Sequence, residues 1–494
     1  MSMNAAECLL SAGEDQHIAL ECGAARPSYA ELRQAVSRAA GCWRALGLQA
    51  GERVLVFAPD SVEWVIAYLS VIWAGGVAIG LNSRLFEKEL SAVLADCGAR
   101  FICCDPPAVA TLRRLLSGTP NAPGIVTHDE VLAPRGAVAA IPAQQLPEEA
   151  PALWIYTSGT TGLPKGVIHA HRAVTELAGF SKSVLGLNAN ARLYASSKLF
   201  FAYALGNALF AGLRLGATVI LDSEWPTAER IAEMVDRHHP TVLLSVPTLY
   251  LKMLQTGVAM RLARAGLRHF VSAGEALPAT VRDLWRDATG IAPVSAYGAT
   301  ETIALVLYCN DDSALLSPSP LTEVRPREGA AEPNAPRRIW LRHPCVAQGY
   351  WQRPQAESDS FAGGWFSPGD LFRHADVDAW EFCGRDDDML KISGQWVSVL
   401  EVEQSLLACV AGSVQQLAAV GYTGSDGLGS IALFAVAAAG REPEARQRLD
   451  AGIATLPKIK RPRLVKWIDE IPFTATGKLQ RRKLKDLHLT NAFA

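Results

Sequence analysis

The chain has 494 residues, 49% hydrophobic and 19% charged, the proportions of a folded globular protein and not of a disordered or fibrous one. That length exceeds what one hydrophobic core organises, so at least two domains are expected. A formal net charge of −2, from 47 basic and 49 acidic residues, leaves no field to hold the chain on nucleic acid or an anionic membrane and points to a small-molecule substrate.

The opening run MSMNAAECLLSAGEDQH carries Glu7 before a short apolar stretch and has neither a basic n-region nor a long h-region, so no export signal is expected. The 10 cysteines are scattered, form no CxxC pair or Cys/His ligand spacing, and read as reduced thiols of a cytoplasmic protein. From Ser28 to Asn82 the pattern alternates: a helix over YAELRQAVSRAAGCWRALG, a strand at RVLVFAP, a helix over SVEWVIAYLSVIWAG and a strand at VAIGLN. Between Glu63 and Arg84 no charge occurs over about the length that spans a bilayer. Gly75 and Gly76 split that run, so it reads as a buried helix and strand and not as a membrane span. FICCDPP, LYASSKLF, ATVILD and TVLLSVP continue the alternation with helical stretches between them, which implies βαβ units and an α/β fold of several sheets.

The sharpest local signal follows the apolar strand ALWI, in the run YTSGTTGLPKG from Tyr156 to Gly166. Thr157, Ser158, Gly159, Thr160, Thr161 and Gly162 crowd hydroxyls and glycines into one loop, and Lys165 adds a charge. Backbone N–H and side-chain O–H groups of such a loop can converge on phosphate oxygens, so the run reads as a phosphate cradle. It is not a Walker A loop, because GxxxxGK[ST] is absent and Pro164 precedes the lysine. Further along, the Pro-, Ala-, Ser- and Glu-rich stretch between 313 and 337 reads as a surface loop. Near GRDDDMLKISG a polar segment precedes a run of about a hundred residues with apolar stretches of its own. A body over 1–386 and a small α+β domain over 387–494 are therefore expected.

Five further runs follow the cradle in order: SAGEALP (Ser272 to Pro278), SAYGATE (Ser295 to Glu301), GWFSPGD (Gly364 to Asp370), GRDDDMLKISGQWVSVLEVE (Gly384 to Glu403) and PFTATGKLQR (Pro472 to Arg481). With them the chain resembles, over nearly its whole length, the adenylate-forming superfamily of acyl- and aryl-CoA synthetases, adenylation domains and luciferases. The resemblance implies an acid–thiol ligase that uses ATP, Mg²⁺ and coenzyme A. It implies Thr300 on a phosphate, Glu301 on Mg²⁺, Asp370 on the ribose hydroxyls and Arg385 on ribose or phosphate. Gly274, Glu275, Ala276, Tyr297 and Gly298 would form the adenine wall. Lys478 would neutralise charge at the carboxylate and α-phosphate during adenylation. The small domain would then turn about a hinge at Asp387, removing the lysine and forming a thiol tunnel near Ser393, Gly394, Gln395 and Trp396.

The run SKLFFAYALGN, Ser197 to Asn207, is similar to the corresponding run of benzoate-CoA ligases, as is GQWVS, Gly394 to Ser398. That similarity implies a flat aryl pocket lined by Phe201, Ala202, Tyr203, Gly298, Ile303 and Ala304. Ala304 stands where those ligases tend to have a histidine, which favours a ring-substituted acid, anthranilate above the others. Two departures accompany it: Pro368 replaces the threonine of the usual Thr-Gly-Asp, and the stretch after SAYGATE is irregular. The rival readings are an enzyme that loads an aryl acid onto a carrier protein's phosphopantetheine, and an inactive relative that only binds ligands. A homodimer is left open.

Overall fold

The computed structural model describes residues 2–132, 138–158, 164–311, 313–327, 335–376, 378–392, 395–410, 412–424, 429–473 and 479–489. They form two compact units, Met1–Val324 with Leu341–Ser367, and Arg325–Trp340 with Pro368–Ala494.

The first unit is built on two large sheets. A seven-stranded sheet runs in the order Gly349–Tyr350, Pro164–Ala170, Pro151–Ser158, Val77–Leu81, Arg53–Phe57, Phe101–Cys104, Gly124–Thr127. The last five of these strands are parallel, as the alternating pattern requires, and Pro164–Ala170 turns back antiparallel against Pro151–Ser158. Helices Tyr29–Ala45 and Val62–Trp73 start at serine caps: Ser28 and Glu31 form a capping box, and Ser61 accepts from the Trp64 N–H. Beyond the exposed Glu63 of its first turn, the second of these helices is buried on almost every face, which accounts for the lack of charge over the rest of it. No helix among the described residues is long and apolar enough to cross a membrane.

An eight-stranded sheet runs Ser317–Pro318, Leu307–Cys309, Val294–Tyr297, His269–Ser272, Val242–Ser245, Arg192–Ala195, Thr218–Ile220, Leu20–Glu21. On one of its faces Phe270 meets Tyr250 and Trp285 from the covering helices, the rings edge-on with the Trp285 centroid 4.6 Å from Tyr250 and 5.1 Å from Phe270.

The stretch expected as a plain surface loop after Asp311 holds two short strands, Ser317–Pro318 and Glu323–Pro326. An edge strand needs only backbone groups on one side, so a composition rich in proline and serine does not prevent it. Residues 328–334 of that stretch lie outside the described residues.

The second unit contains the antiparallel hairpin Asp370–Asp376 with Ala379–Arg385, onto which Arg337 and Arg338 pair. It also holds a three-stranded sheet of Val414–Thr423, Gly429–Ala437 and Leu464–Trp467. Helices Val399–Val410, Glu442–Thr455 and Arg481–Leu489 accompany that sheet. Val402, Leu406, Leu433, Ala445 and Leu449 are buried in one cluster there, so the apolar runs seen near the C-terminus form a core.

Candidate active site

Four neighbouring strands of the second sheet, Arg192–Ala195, Val242–Ser245, His269–Ser272 and Val294–Tyr297, are mutually parallel. Their carboxyl ends therefore share one rim, the place where parallel α/β sheets bind ligands. The chain leaving those ends carries Phe201, Ala202 and Tyr203, then Thr248, then Gly274, Glu275 and Ala276, then Gly298, Thr300 and Glu301. The sheet thus gathers candidates for adenine, phosphate and acid binding that are far apart in sequence. Thr248 Oγ1 donates to Glu275 Oε2 at 2.7 Å and ties two of the loops together.

The strands Pro151–Ser158 and Pro164–Ala170, which flank the expected phosphate cradle in sequence, pair with Thr157 opposite Lys165. Gly159, Thr160, Thr161 and Gly162 lie outside the described residues, as does the side chain of Ser158. The first of these strands is pinned near its carboxyl end. Tyr156 donates its hydroxyl to Asp96 Oδ2 at 2.8 Å, while the Arg353 guanidinium donates to Asp96 Oδ1 at 2.6 Å.

Lys165 Nζ lies 5.2 Å from the centre of the Tyr350 ring, within cation–π range, and the Tyr350 hydroxyl donates to Glu301 Oε1 at 2.6 Å. Burial, with the Glu301 carboxylate beside it, pushes the Tyr350 phenol well up, so it remains a donor. The cradle lysine and the carboxylate expected to serve the metal thus meet the two sides of one tyrosine. Behind Thr300, the buried His169 donates Nε2–H to the Thr300 carbonyl at 2.9 Å. Burial pushes this imidazole down to about 4, so it is neutral near pH 7.

After Glu301 the backbone makes a tight turn. Thr302 Oγ1 accepts from the Ala299 N–H at 3.0 Å and lies 3.0 Å from the Ala304 carbonyl. Ile303 takes φ +51°, a left-handed conformation that costs a β-branched residue about 1–3 kcal/mol. A Cβ at Gly298 would stand 2.6 Å from the Ala304 oxygen, so glycine is required there by close approach. Ile303 and Ala304 are both buried.

The aryl run is also tied down. Tyr203 donates its hydroxyl to the Val271 carbonyl at 2.9 Å. Lys198, 6% exposed, donates to the Asp222 carbonyl at 2.6 Å, and the buried Asp60 carboxylate accepts from the Leu199 N–H at 3.0 Å. Burial pushes Asp60 up to about 7 despite Lys198 nearby.

In the second unit, Asp370 and Arg385 face each other across the hairpin, with Arg385 Nε 3.6 Å from Asp370 Oδ1. Asp387 lies in the 3-10 turn Asp386–Asp388 and its side chain is outside the described residues. Ser393, Gly394 and Lys478 are outside them too, and Gln395 and Trp396 are described by backbone alone. Both flanks of 474–478 are anchored: Phe473 bridges to Leu479, and Arg481 donates to the buried Glu403 carboxylate at 2.7 and 2.8 Å.

Tyr350, Asp96, His169 and Asp60 are not marked by any sequence motif. Each acts through a partner distant in the chain, and only the aromatic GYW run at 349–351 offers a signal.

The chain belongs to the AMP-binding enzyme family, whose model matches residues 11–351, and within it to the acid–thiol ligases. It is 37% identical to a 3-hydroxybenzoate–CoA ligase of Aromatoleum sp. (strain CIB), over 98% of this chain and 97% of that protein. It is 33% identical to the benzoate–CoA ligase of Thauera aromatica, over 93% and 90% of the two chains. Among solved structures it is similar to that of the anthranilate CoA ligase AuaEII in complex with anthranoyl-AMP, with a TM-score of 0.90, 27% identity and coverage of 98% and 97%.

Proposed function

We propose that the chain converts a ring-substituted benzoate, with 3-hydroxybenzoate as the leading acid, to its acyl-adenylate and passes the acyl group to coenzyme A. The observation that carries this reading is the shared rim, where the aryl run, the adenine loops and the Thr300–Glu301 turn leave adjacent parallel strands. Identity of 37% to a 3-hydroxybenzoate–CoA ligase supports the choice of acid.

A carboxylate is a poor electrophile because its leaving group would be oxide. Its oxygen attacks the α-phosphorus of ATP, forming the acyl-AMP and releasing pyrophosphate. The thiol then attacks the acyl carbon, AMP departs, and the thiol proton passes to solvent. Lys165 and the hydroxyls of 157–162 hold the phosphates, with Thr300 on one of them. Tyr297 and 274–276 take adenine, Asp370 and Arg385 the ribose side. Lys478 serves the first step only, and rotation at Asp387 brings 393–396 to the thiol for the second.

Glu301 fits Mg²⁺ as a single carboxylate at the phosphate rim, because that ion takes most of its ligands from phosphate and water. The ion would neutralise phosphate charge.

Anthranilate is the second reading, favoured by similarity to the anthranilate ligase structure and by the small Ala304. The test is pyrophosphate release with benzoate, 3-hydroxybenzoate, 4-hydroxybenzoate and anthranilate, followed by free coenzyme A against a holo carrier protein as acceptor. No release with any aryl acid overturns the reading, and transfer to the carrier protein alone replaces the acceptor. Ala304→His should lower kcat/KM for the preferred substituted acid relative to benzoate by about 10–200-fold, the effect of refilling a pocket of that size. Equal loss for both acids would remove Ala304 from the pocket.

A further inference from the structure

We propose that Asn207 is a positioning residue that sets acid selectivity, by clamping the Ile303–Leu305 segment to the Phe201–Tyr203 run. The inference rests on the reading above, in which both segments border the acid. Asn207 is 3% exposed. Its Nδ2 donates to the Ile303 carbonyl at 3.0 Å and to the Tyr203 carbonyl at 3.2 Å, and its Oδ1 accepts from the Leu305 N–H at 3.1 Å. Reversing the amide would set its oxygen against two carbonyl oxygens, so the partners dictate the orientation. One side chain therefore bonds the residue before Ala304, the residue after it, and the tyrosine of the aryl run.

The backbone on both sides is built for this contact. Asn207 lies in a π-helical turn, Leu205–Phe210, a rare geometry concentrated at functional sites. Its side chain donates to the carbonyl four residues back, the acceptor that an α-helix gives to a backbone N–H. Gly206 lets the Ile303 carbonyl approach, since a Cβ there would lie 2.2 Å from that oxygen. Ile303 itself is held at φ +51°, where an isoleucine does not rest unaided. A strained residue clamped on a buried amide has one position, and Ala304 inherits it.

The experiment measures kcat/KM for 3-hydroxybenzoate, anthranilate and benzoate, and KM for ATP, by pyrophosphate release from the full-length wild type, Asn207→Asp and Asn207→Ala. Asn207→Asp turns the donor facing two carbonyls into an acceptor at almost unchanged volume. The expected result is a change of about 10-fold or more in the ratio of substituted acid to benzoate, with KM for ATP unchanged. A merely structural role would lower all acids alike and leave the ratio fixed, and that outcome overturns the proposal. If neither variant folds, Gly206→Ala, which displaces the same Ile303 carbonyl and leaves the Asn207 side chain in place, must shift the ratio, and an unchanged ratio overturns it equally. A wild type inactive with every aryl acid would remove the underlying reading instead, whereas an active wild type with ratio-neutral variants removes only the clamp.

Discussion

Replacing Lys478 by alanine is expected to slow pyrophosphate release from ATP and aryl acid by roughly 10²–10³-fold, the cost of losing one preorganised charge at the reacting centre. Thiol transfer from a supplied aryl-AMP should stay close to the wild-type rate. The difference follows from the chemistry. Negative charge accumulates on the carboxylate and α-phosphate only while the P–O bond forms, and a single ammonium in a water-poor site stabilises that state more than the bound reactants. In the second step the acyl carbon meets a thiol and AMP leaves with its charge already formed. The substitution should not disturb the fold, because the segment's flanks are held by other groups, Phe473 against Leu479 and Arg481 on Glu403. Thermal unfolding of the variant checks this, and single-turnover assays of each half-reaction measure the rates. Equal loss in both half-reactions would count against the assigned role.

Acid should destabilise the first unit steeply between pH about 6.5 and about 4. His169, His171 and His343 are buried, and burial pushes each imidazole down to about 4 from an ordinary 6.5. In that window the unfolded chain takes up protons that the folded unit refuses. Stability is therefore complete above about 6.5 and is lost as pH falls towards about 4. Each imidazole contributes roughly 3 kcal/mol, and three approach the whole net stability of a typical domain. Asp60 acts in the opposite sense, because burial raises its carboxyl to about 7 and the folded form keeps a proton that the unfolded form releases. That offsets about one histidine and leaves a loss of roughly 6 kcal/mol. Urea midpoints at about pH 7 and about pH 5 read about half of that loss, roughly 3 kcal/mol, through the denaturant slope, because pH 5 lies part-way through the window. A midpoint that holds or rises at the lower pH would show that the imidazoles are not held neutral by burial.

The alternation of helix and strand from Ser28 to Asn82 is legible in the sequence because it is local: a few residues of apolar period decide each element, and serine caps mark the helix starts. The run YTSGTTGLPKG, expected to cradle phosphate, is legible for the same reason, since its glycines, hydroxyls and lysine are contiguous and follow a buried strand directly. Composition misleads only where backbone pairing alone makes a strand, at Ser317–Pro318 and Glu323–Pro326.

By itself, then, the sequence determined the α/β class and the ordered motifs of an AMP-binding enzyme, because each is written within a dozen or so neighbouring residues. Only the tertiary structure decided which groups hold those motifs in place. Tyr350 reaches Glu301 across 49 residues, Asn207 reaches Ile303 across 96, and Asp60 reaches Leu199 across 139. No local pattern records such pairings, because a buried tyrosine, asparagine or aspartate is chosen by the shape and polarity of whatever segment the sheets bring against it.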